Sequence, residues 1–145
     1  MRIGDLCSRE VHVVEPDKPL LEAVREMHRQ HVGALVVVTR HDAAAHPVGI
    51  VTDRDVMRGE ITHNADVFSL AVADVMSGNL LTLAESCELA EGIAQLRHRG
   101  VRRAPVVDER GDLLGIVSLD DLLPAVAEEL IGLAKLIGRQ ARRER

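Results

Sequence analysis

Two short motifs place a hydroxyl residue three positions before a carboxylate, at points where a predicted strand runs into a predicted helix. Each also has a glycine three residues before the hydroxyl, and the members are Gly49, Thr52, Asp55 and Gly115, Ser118, Asp121. Such a junction offers free backbone N–H groups and the positive end of a helix dipole, which attract phosphate. A carboxylate one turn into the helix can accept both hydrogens of a ribose diol. The motifs are therefore candidates for nucleotide binding.

The same spacing also has a purely structural interpretation. In a capping box, a hydroxyl and an acid three residues apart satisfy each other's backbone donors at the start of a helix. A gene duplication would copy a helix cap as readily as a binding site. Recurrence of the motif therefore leaves both interpretations open.

The motifs recur because the chain contains an internal repeat. Gly4 to Ser8 matches Ala73 to Ser77, 69 residues further on, and the same offset continues through Val37 and Val106. Beyond that strand the offset falls to 66 residues, so the first copy carries three extra residues. We place them in a loop at residues 40–47, where the second copy has a tighter turn at residues 108–112 around Gly111.

Within each copy the pattern reads strand, helix, strand, strand, helix, which is an α/β organisation. The apolar spacing of Leu20, Ala23, Val24 and Met27 is helical, with Asp17 and Pro19 as start signals, and Gly59 is predicted to stop the second helix. In the first copy, strands are predicted at residues 11–14, 35–39 and 48–52, and the first helix at 19–30. In the second copy, strands are predicted at residues 80–83, 105–107 and 113–118, and the first helix at 89–99. The expected divisions are repeat 1 at 1–61, a linker at 62–71, repeat 2 at 72–130, and a helix end with a basic tail at 131–145.

The last segment is predicted to be helical, with a complication at Pro124. This proline falls too deep for the first turn of a helix that starts after Ser118, so we expect a kink or a restart there. Beyond it, apolar residues at four- and three-residue steps form a stripe that is long enough for a docked helix and too short to indicate a coiled coil: Val126, Leu130, Leu133 and Ile137. The Arg-rich end, residues 139–145, is expected to be a solvated helix end.

Three segments carry a resemblance to a known family. Asp-Val-Met-Ser at residues 74–77, Gly-Val-Arg-Arg-Ala-Pro-Val-Val-Asp at 100–108 and Gly-Ile-Val-Ser-Leu-Asp-Asp at 115–121 resemble the CBS domains, and the likeness covers about residues 1–130. The resemblance implies two βαββα repeats packed sheet to sheet as one pseudo-two-fold module with two clefts, here followed by a C-terminal helix. It also implies binding of AMP, ADP, ATP, NAD or S-adenosylmethionine in those clefts.

The resemblance assigns roles to particular residues. It implies that Thr52 with Asp55, and Ser118 with Asp121, hold a ribose, and that Arg102 and Arg103 contact phosphate. The first copy has Gly33 and Ala34 in place of those arginines, and Arg54 is its substitute. The adenine is expected between aliphatic walls at residues 11–14 and 80–83, which include Val14 and Thr82. We therefore expect a stronger site around Ser118, Asp121, Arg102 and Arg103, and a weaker one around Thr52, Asp55 and Arg54.

Composition disfavours several other functions. A net charge of −5 and a pI near 5.8 argue against binding to nucleic acid, which depends on clustered Lys and Arg. The apolar runs are too short for a membrane span, and the charged first ten residues do not resemble a signal peptide, so we expect a cytoplasmic protein. Cys7 and Cys87 lack CxxC spacing and are interpreted as small apolar side chains. A solvated turn after Gly100 remains the alternative for the arginines at 102 and 103.

No catalytic or metal site is predicted. His28 with His31, and His41 with Asp42 and His46, lack three convergent ligands, and no nucleophile is paired with a base. The leading hypothesis is a non-catalytic regulatory module that forms a homodimer and signals to an unknown protein in trans. It requires no cofactor and has an adenine nucleotide as its regulatory ligand. The alternative is a ligand-free dimerisation or protein-interaction module.

Overall fold

The computed structural model describes residues 1–143, which form six helices and six strands. The helices are α1 (Ile3–Leu6), α2 (Leu20–Gln30), α3 (Asp53–His63), α4 (Val72–Val75), α5 (Leu89–Arg99) and α6 (Leu119–Arg143). The strands are β1 (Val13–Val14), β2 (Ala34–His41), β3 (Ala44–Thr52), β4 (Leu83–Ala84), β5 (Arg103–Val107) and β6 (Leu113–Ser118).

The two halves of the chain have the same topology. The sheets have the strand orders β1-β2-β3 and β4-β5-β6, and in each the first pair is parallel and the second antiparallel. The predicted α/β fold of two βαββα repeats is therefore confirmed. Each repeat also begins with a one-turn helix, α1 or α4, which is too short to produce a periodic signal in the sequence.

Aliphatic side chains fill a separate core in each repeat. In the first, the predicted helical face of α2 is buried against β2 through Leu20, Ala23 and Met27. In the second, Leu83, Leu96, Val106 and Val117 are among the buried residues. Short branched side chains suit strands that are covered on a face by helices.

The leading segment of each repeat packs against the other repeat, an arrangement that we call the segment exchange. Ile3 of α1 is fully buried in the second core, and Val72 of α4 is fully buried in the first. Ser8 exchanges two backbone hydrogen bonds of 2.9 Å with Ile116 of β6, and Ser77 does the same with Ile50 of β3 at 2.9 and 3.1 Å. Neither core is complete without residues from the other copy.

This exchange explains the glycines of the two motifs. A Cβ on Gly49 would lie 2.7 Å from the Ser77 carbonyl oxygen, and one on Gly115 would lie 2.5 Å from that of Ser8. Both distances are shorter than real contacts of a Cβ atom. The glycines therefore permit the exchanged segments to approach β3 and β6.

Gly59 does not end the second helix, so that prediction is wrong. The helix α3 continues to His63 and ends at Asn64, whose φ of 48° is left-handed. Gly59 is buried, and a Cβ there would collide with the Val75 side chain of α4. This glycine is thus a packing contact between helices and not a stop signal.

The predicted loop at residues 40–47 is also wrong. The strands β2 and β3 remain paired out to His41 and Ala44, so only Asp42 and Ala43 form the turn. The three extra residues lengthen the hairpin beyond a register irregularity that both copies share, at Val37 and Val38 and at Val106 and Val107. The tight turn of the second copy is confirmed, with the Asp108 N–H donating to the Asp112 carbonyl.

The helix α6 is a single element from Leu119 to Arg143 and contains Pro124, so the predicted restart does not occur. A kink at this residue stays a prediction. The outer part of the stripe does not dock on the described chain, since Leu130, Leu133 and Ile137 are 63%, 62% and 71% exposed, and its docking on a partner stays a prediction. Residues 144 and 145 of the predicted basic tail lie outside the described residues. None of the helices in residues 1–143 is long and apolar enough to cross a membrane.

Candidate ligand-binding clefts

A cleft of about 490 Å³ lies where the first motif faces the second repeat, and we call it the Thr52 cleft. From the first repeat it is lined by β3 and the start of α3, with Ile50, Thr52, Arg54, Asp55 and Arg58. From the second it is lined by the segments that precede β4 and β5, with Ser77, Asn79, Leu80, Leu81, Gly100, Val101, Arg102 and Arg103. Its volume falls within the range of small-molecule sites.

The capping interpretation of the first motif is realised at the start of α3. The Thr52 N–H donates to Asp55 Oδ2 at 2.9 Å, and the Asp55 N–H donates to Thr52 Oγ1 at 3.1 Å. Asp55 Oδ1 accepts no hydrogen bond from residues 1–143. One carboxylate oxygen therefore caps the helix, while the other remains able to accept from a ligand in the cleft.

Four arginines line the Thr52 cleft against a single carboxylate, that of Asp55. All four are exposed, and within the described chain none of them is ion-paired: Arg54, Arg58, Arg102 and Arg103. Guanidinium groups bind phosphate through two parallel N–H donors. This wall of the cleft is suited to an anion with several oxygens.

A second cleft of about 330 Å³ lies around the second motif, and we call it the Ser118 cleft. The Ser118 N–H and Oγ both donate to Asp121 Oδ2, at 2.7 and 3.0 Å. Its charged lining consists of the carboxylates of Glu10, Asp120 and Asp121, with Arg103 as the one guanidinium among the described lining residues. This cleft is the acidic one of the pair.

The predicted grouping of arginines with motifs is therefore corrected. Arg102 lines the Thr52 cleft and not the Ser118 cleft, while Arg103 lines both. The reason is the pseudo-two-fold arrangement, in which each motif faces the segments that precede the strands of the other repeat. Gly33 and Ala34, which match the two arginines, line the Ser118 cleft instead. Arg54, Arg102 and Arg103, none of which has a basic counterpart in the other copy, thus all line the Thr52 cleft, and Arg103 lines the Ser118 cleft as well.

The two segments proposed for the adenine walls reach the clefts only in part, and Val11 of the first segment lines the Ser118 cleft. Val14 is 7% exposed in the first core, and neither Val14 nor Thr82 is among the residues that line the two clefts. Leu80 and Leu81, from the same predicted segment as Thr82, line the Thr52 cleft. Leu80, Leu81 and Thr82 precede β4, so the alternation of side chains along a strand does not decide which of them faces the cleft.

Sequence reasoning missed Arg58, which follows Arg54 by one helical turn and shares its face of α3. The four-residue spacing of the two arginines was the available signal. It also missed Glu10 and Asp120, which make the Ser118 cleft acidic. Glu10 could not be assigned to that cleft without knowledge of the segment exchange.

The two cysteines are free thiols that pack against the second core. Burial raises the pKa of Cys7 and that of Cys87 above the usual 9.0, and in Cys87 the nearby Glu91 carboxylate acts in the same direction. At neutral pH both thiols are protonated. They behave as small apolar side chains.

The histidine groups do not assemble a metal site within the described residues. His46 instead lies 3.1 Å from Asp112 of the opposite hairpin, measured from Nε2 to Oδ1, and its ring meets His41 edge to face. The contact between His46 and Asp112 joins the two hairpins.

Together the fold and the clefts define a module of two α/β repeats that share a pair of inter-repeat clefts. The chain belongs to the CBS domain family, whose sequence model matches residues 3–61 and 72–128. It is therefore a CBS domain pair, which is a regulatory module.

Known proteins agree with this assignment. An uncharacterized protein of Methanopyrus kandleri is 30% identical over 121 residues, or 83% of this chain, and this chain spans 60% of that protein's length. A CBS domain protein of unknown function from Thermoplasma acidophilum has 26% identity and a TM-score of 0.74, with 86% of this chain and 68% of that one covered.

One similar structure contains ligands. The CBS domain pair of the protein MJ0100, in complex with 5′-methylthioadenosine and S-adenosyl-L-methionine, has a TM-score of 0.73 and 19% identity, and the match covers 89% of this chain and 98% of that one. At this level of identity the likeness concerns the fold alone.

Proposed function

We propose that this chain is a non-catalytic regulatory module that binds an adenine nucleotide, AMP, ADP or ATP, in the Thr52 cleft. The observation that carries the proposal is the group of four arginines around a helix start with a free carboxylate oxygen. The module signals through changed module or dimer geometry to a partner protein in trans.

Each part of a nucleotide has a counterpart in the cleft. Asp55 Oδ1 accepts from the ribose diol, and the Thr52 side chain lies beside it at the start of α3. The arginines face the phosphates from two directions, with Arg54 and Arg58 on α3 and Arg102 and Arg103 before and in β5. The aliphatic side chains of the lining form the surface against which the adenine packs.

Charge narrows the list of ligands. A cleft with four arginines favours ATP and ADP over AMP, because each added phosphate brings more charge to the guanidinium groups. The same charge disfavours S-adenosylmethionine, whose sulfonium is positive, and NAD has less phosphate charge than ATP. The resemblance to the family left all five ligands open, and the residues of this cleft order them.

The proposed signal depends on the fact that both repeats form the walls of the cleft. Both repeats contribute to the Thr52 cleft, so a bound nucleotide contacts both and favours the relative arrangement that fits it best. A ligand shifts a conformational equilibrium only by its differential affinity for the two states. The proposed signal is that shift.

A ligand-free interaction module is the second candidate, and the exposed apolar side chains of α6 favour it. The two functions differ in their response to nucleotide. An interaction module keeps one geometry and one oligomeric state whether or not nucleotide is present.

Isothermal titration calorimetry with ATP, ADP, AMP, NAD and S-adenosylmethionine tests the proposal. We expect affinity in the order ATP, ADP, AMP, with S-adenosylmethionine the weakest of the five. S-adenosylmethionine is the comparison ligand, because it carries the same adenine ring without the phosphates. Absence of heat with ATP, ADP and AMP would overturn the proposal.

A further inference from the structure

The outer half of α6 is exposed along its whole length. The last residues of the helix that are buried in the body are Leu122 and Ala125, at 3% and 7% exposure, and residues 127–143 are all exposed. In proteins, most of the stability of a helix comes from the packing of an apolar face. The exposed outer half of α6 would therefore be stabilised further if its apolar side chains packed against a partner surface.

The helix carries a continuous apolar seam. Six residues follow one another at steps of four, three, four, three and four, which is the spacing of the seam in paired helices: Leu119, Leu123, Val126, Leu130, Leu133 and Ile137. Five of the six are at least 37% exposed. The seam begins on the body and continues along the outer half without interruption.

The inner end of the seam continues into an apolar groove. This groove of about 270 Å³ lies between α5 and α6, and its lining includes Ile93, Leu119, Leu123 and Val126. A second helix on the seam therefore finds apolar surface along its whole length.

The charges of α6 identify what covers the seam. Acidic residues occupy the inner half, at Asp120, Asp121, Glu128 and Glu129, and basic residues the outer half, at Lys135, Arg139, Arg142 and Arg143. An antiparallel second copy places each half against the opposite charge, whereas a parallel copy places like charges together. The helix is thus complementary to itself in the antiparallel direction.

We propose that α6 is a homodimerisation helix that pairs antiparallel with α6 of a second copy. The seam then places Val126 opposite Ile137 of the other copy, and Leu130 opposite its Leu133. The pairing goes beyond the proposed function and does not depend on nucleotide.

Sedimentation equilibrium of the full chain tests the pairing. We expect a dimer of twice 15.8 kDa, and a monomer for Leu130→Asp with Leu133→Asp, with a dissociation constant raised at least about 100-fold by loss of the apolar burial. Met57→Asp with Ile61→Asp is the matched control, because these residues are as exposed but lie on α3, and it should remain a dimer.

Disulfide cross-linking tests the direction, in a background with Cys7→Ala and Cys87→Ala. A mixture of Val126→Cys and Ile137→Cys chains should give mainly the mixed cross-link. A monomeric wild type, a dimer that survives Leu130→Asp with Leu133→Asp, or cross-links mainly between like positions would each overturn the proposal.

Discussion

At the residue scale, the central point is that the geometry of one carboxylate allows it to serve two purposes. Asp55 caps α3 through Oδ2 and leaves Oδ1 for the cleft, so the structural and functional interpretations of the motif are compatible. Asp74 makes the same kind of cap at α4, where its Oδ2 accepts from the Ala71 N–H at 2.8 Å, but it lies outside both clefts. A comparison of Asp55 with Asp74 therefore distinguishes the effect of capping a helix from the effect of contacting a ligand.

The arginines of α3 should discriminate nucleotides by phosphate number. We expect Arg54→Gln with Arg58→Gln to weaken ATP binding by about tenfold or more, and AMP binding by less, because charge-assisted hydrogen bonds to phosphate are lost. Calorimetric titration of both nucleotides measures this difference. Arg110→Gln, an exposed arginine outside the cleft, is the control and should change neither affinity. Equal losses for ATP and AMP would argue against phosphate contacts from α3.

The buried thiols should give a pH dependence at the alkaline end. Because burial raises the pKa of Cys7 and Cys87 in the folded state, their contribution to stability is present below the unfolded pKa near 9.0 and is lost as pH rises through the folded pKa. The free energy of unfolding should therefore fall more steeply as pH rises above 9.0 than it does in Cys7→Ala with Cys87→Ala. Chemical denaturation across this range measures both slopes, and equal slopes would contradict the assignment.

At the element scale, most helices and strands were predictable and their ends and contacts were not. The helical face of α2 and the bounds of α5 and β6 follow from apolar periodicity, since each is regular over its whole length. The stop predicted at Gly59 failed because a glycine can serve helix packing as well as termination. The loop at residues 40–47 failed because an insertion can lengthen a hairpin instead of its turn.

The packing of Gly59 against α4 makes a sharp test. A Cβ there would collide with Val75, so we expect Gly59→Ala to destabilise the protein by about 1 to 3 kcal/mol. Gly132→Ala, in the outer half of α6 where a Cβ meets nothing, should instead be neutral or stabilising by up to about 1 kcal/mol. Urea denaturation of the two variants compares these effects. If Gly59→Ala is as well tolerated as Gly132→Ala, α3 and α4 do not pack as described.

At the scale of the whole molecule, the segment exchange governs both stability and the clefts. It makes the two repeats one cooperative unit, because each core contains a helix from the other copy. It also places each motif opposite the other repeat, so the arginines of the second copy face Thr52 and Asp55. Sequence comparison of the copies found the asymmetry but assigned it to the wrong cleft, since the exchange depends on contacts distant in sequence.

The exchange predicts how the chain unfolds. Ile3 is fully buried in the second core, so Ile3→Ala should lower the free energy of unfolding by about 2 to 5 kcal/mol, although the residue lies at the chain's first turn. Differential scanning calorimetry should show a single transition at a lower temperature. Separate transitions for the two repeats, or an effect below about 1 kcal/mol, would contradict a shared core.

The claim that the nucleotide binds in the Thr52 cleft is tested most directly by calorimetric titration of ATP into Asp55→Asn and Asp121→Asn. Both variants keep a side-chain oxygen able to cap a helix, and Asp74→Asn controls for the effect of the substitution on a cap alone. We predict that Asp55→Asn weakens ATP binding about tenfold or more, while Asp121→Asn and Asp74→Asn leave it within about twofold of the wild type. Loss of ATP binding in Asp121→Asn with full retention in Asp55→Asn would contradict the account.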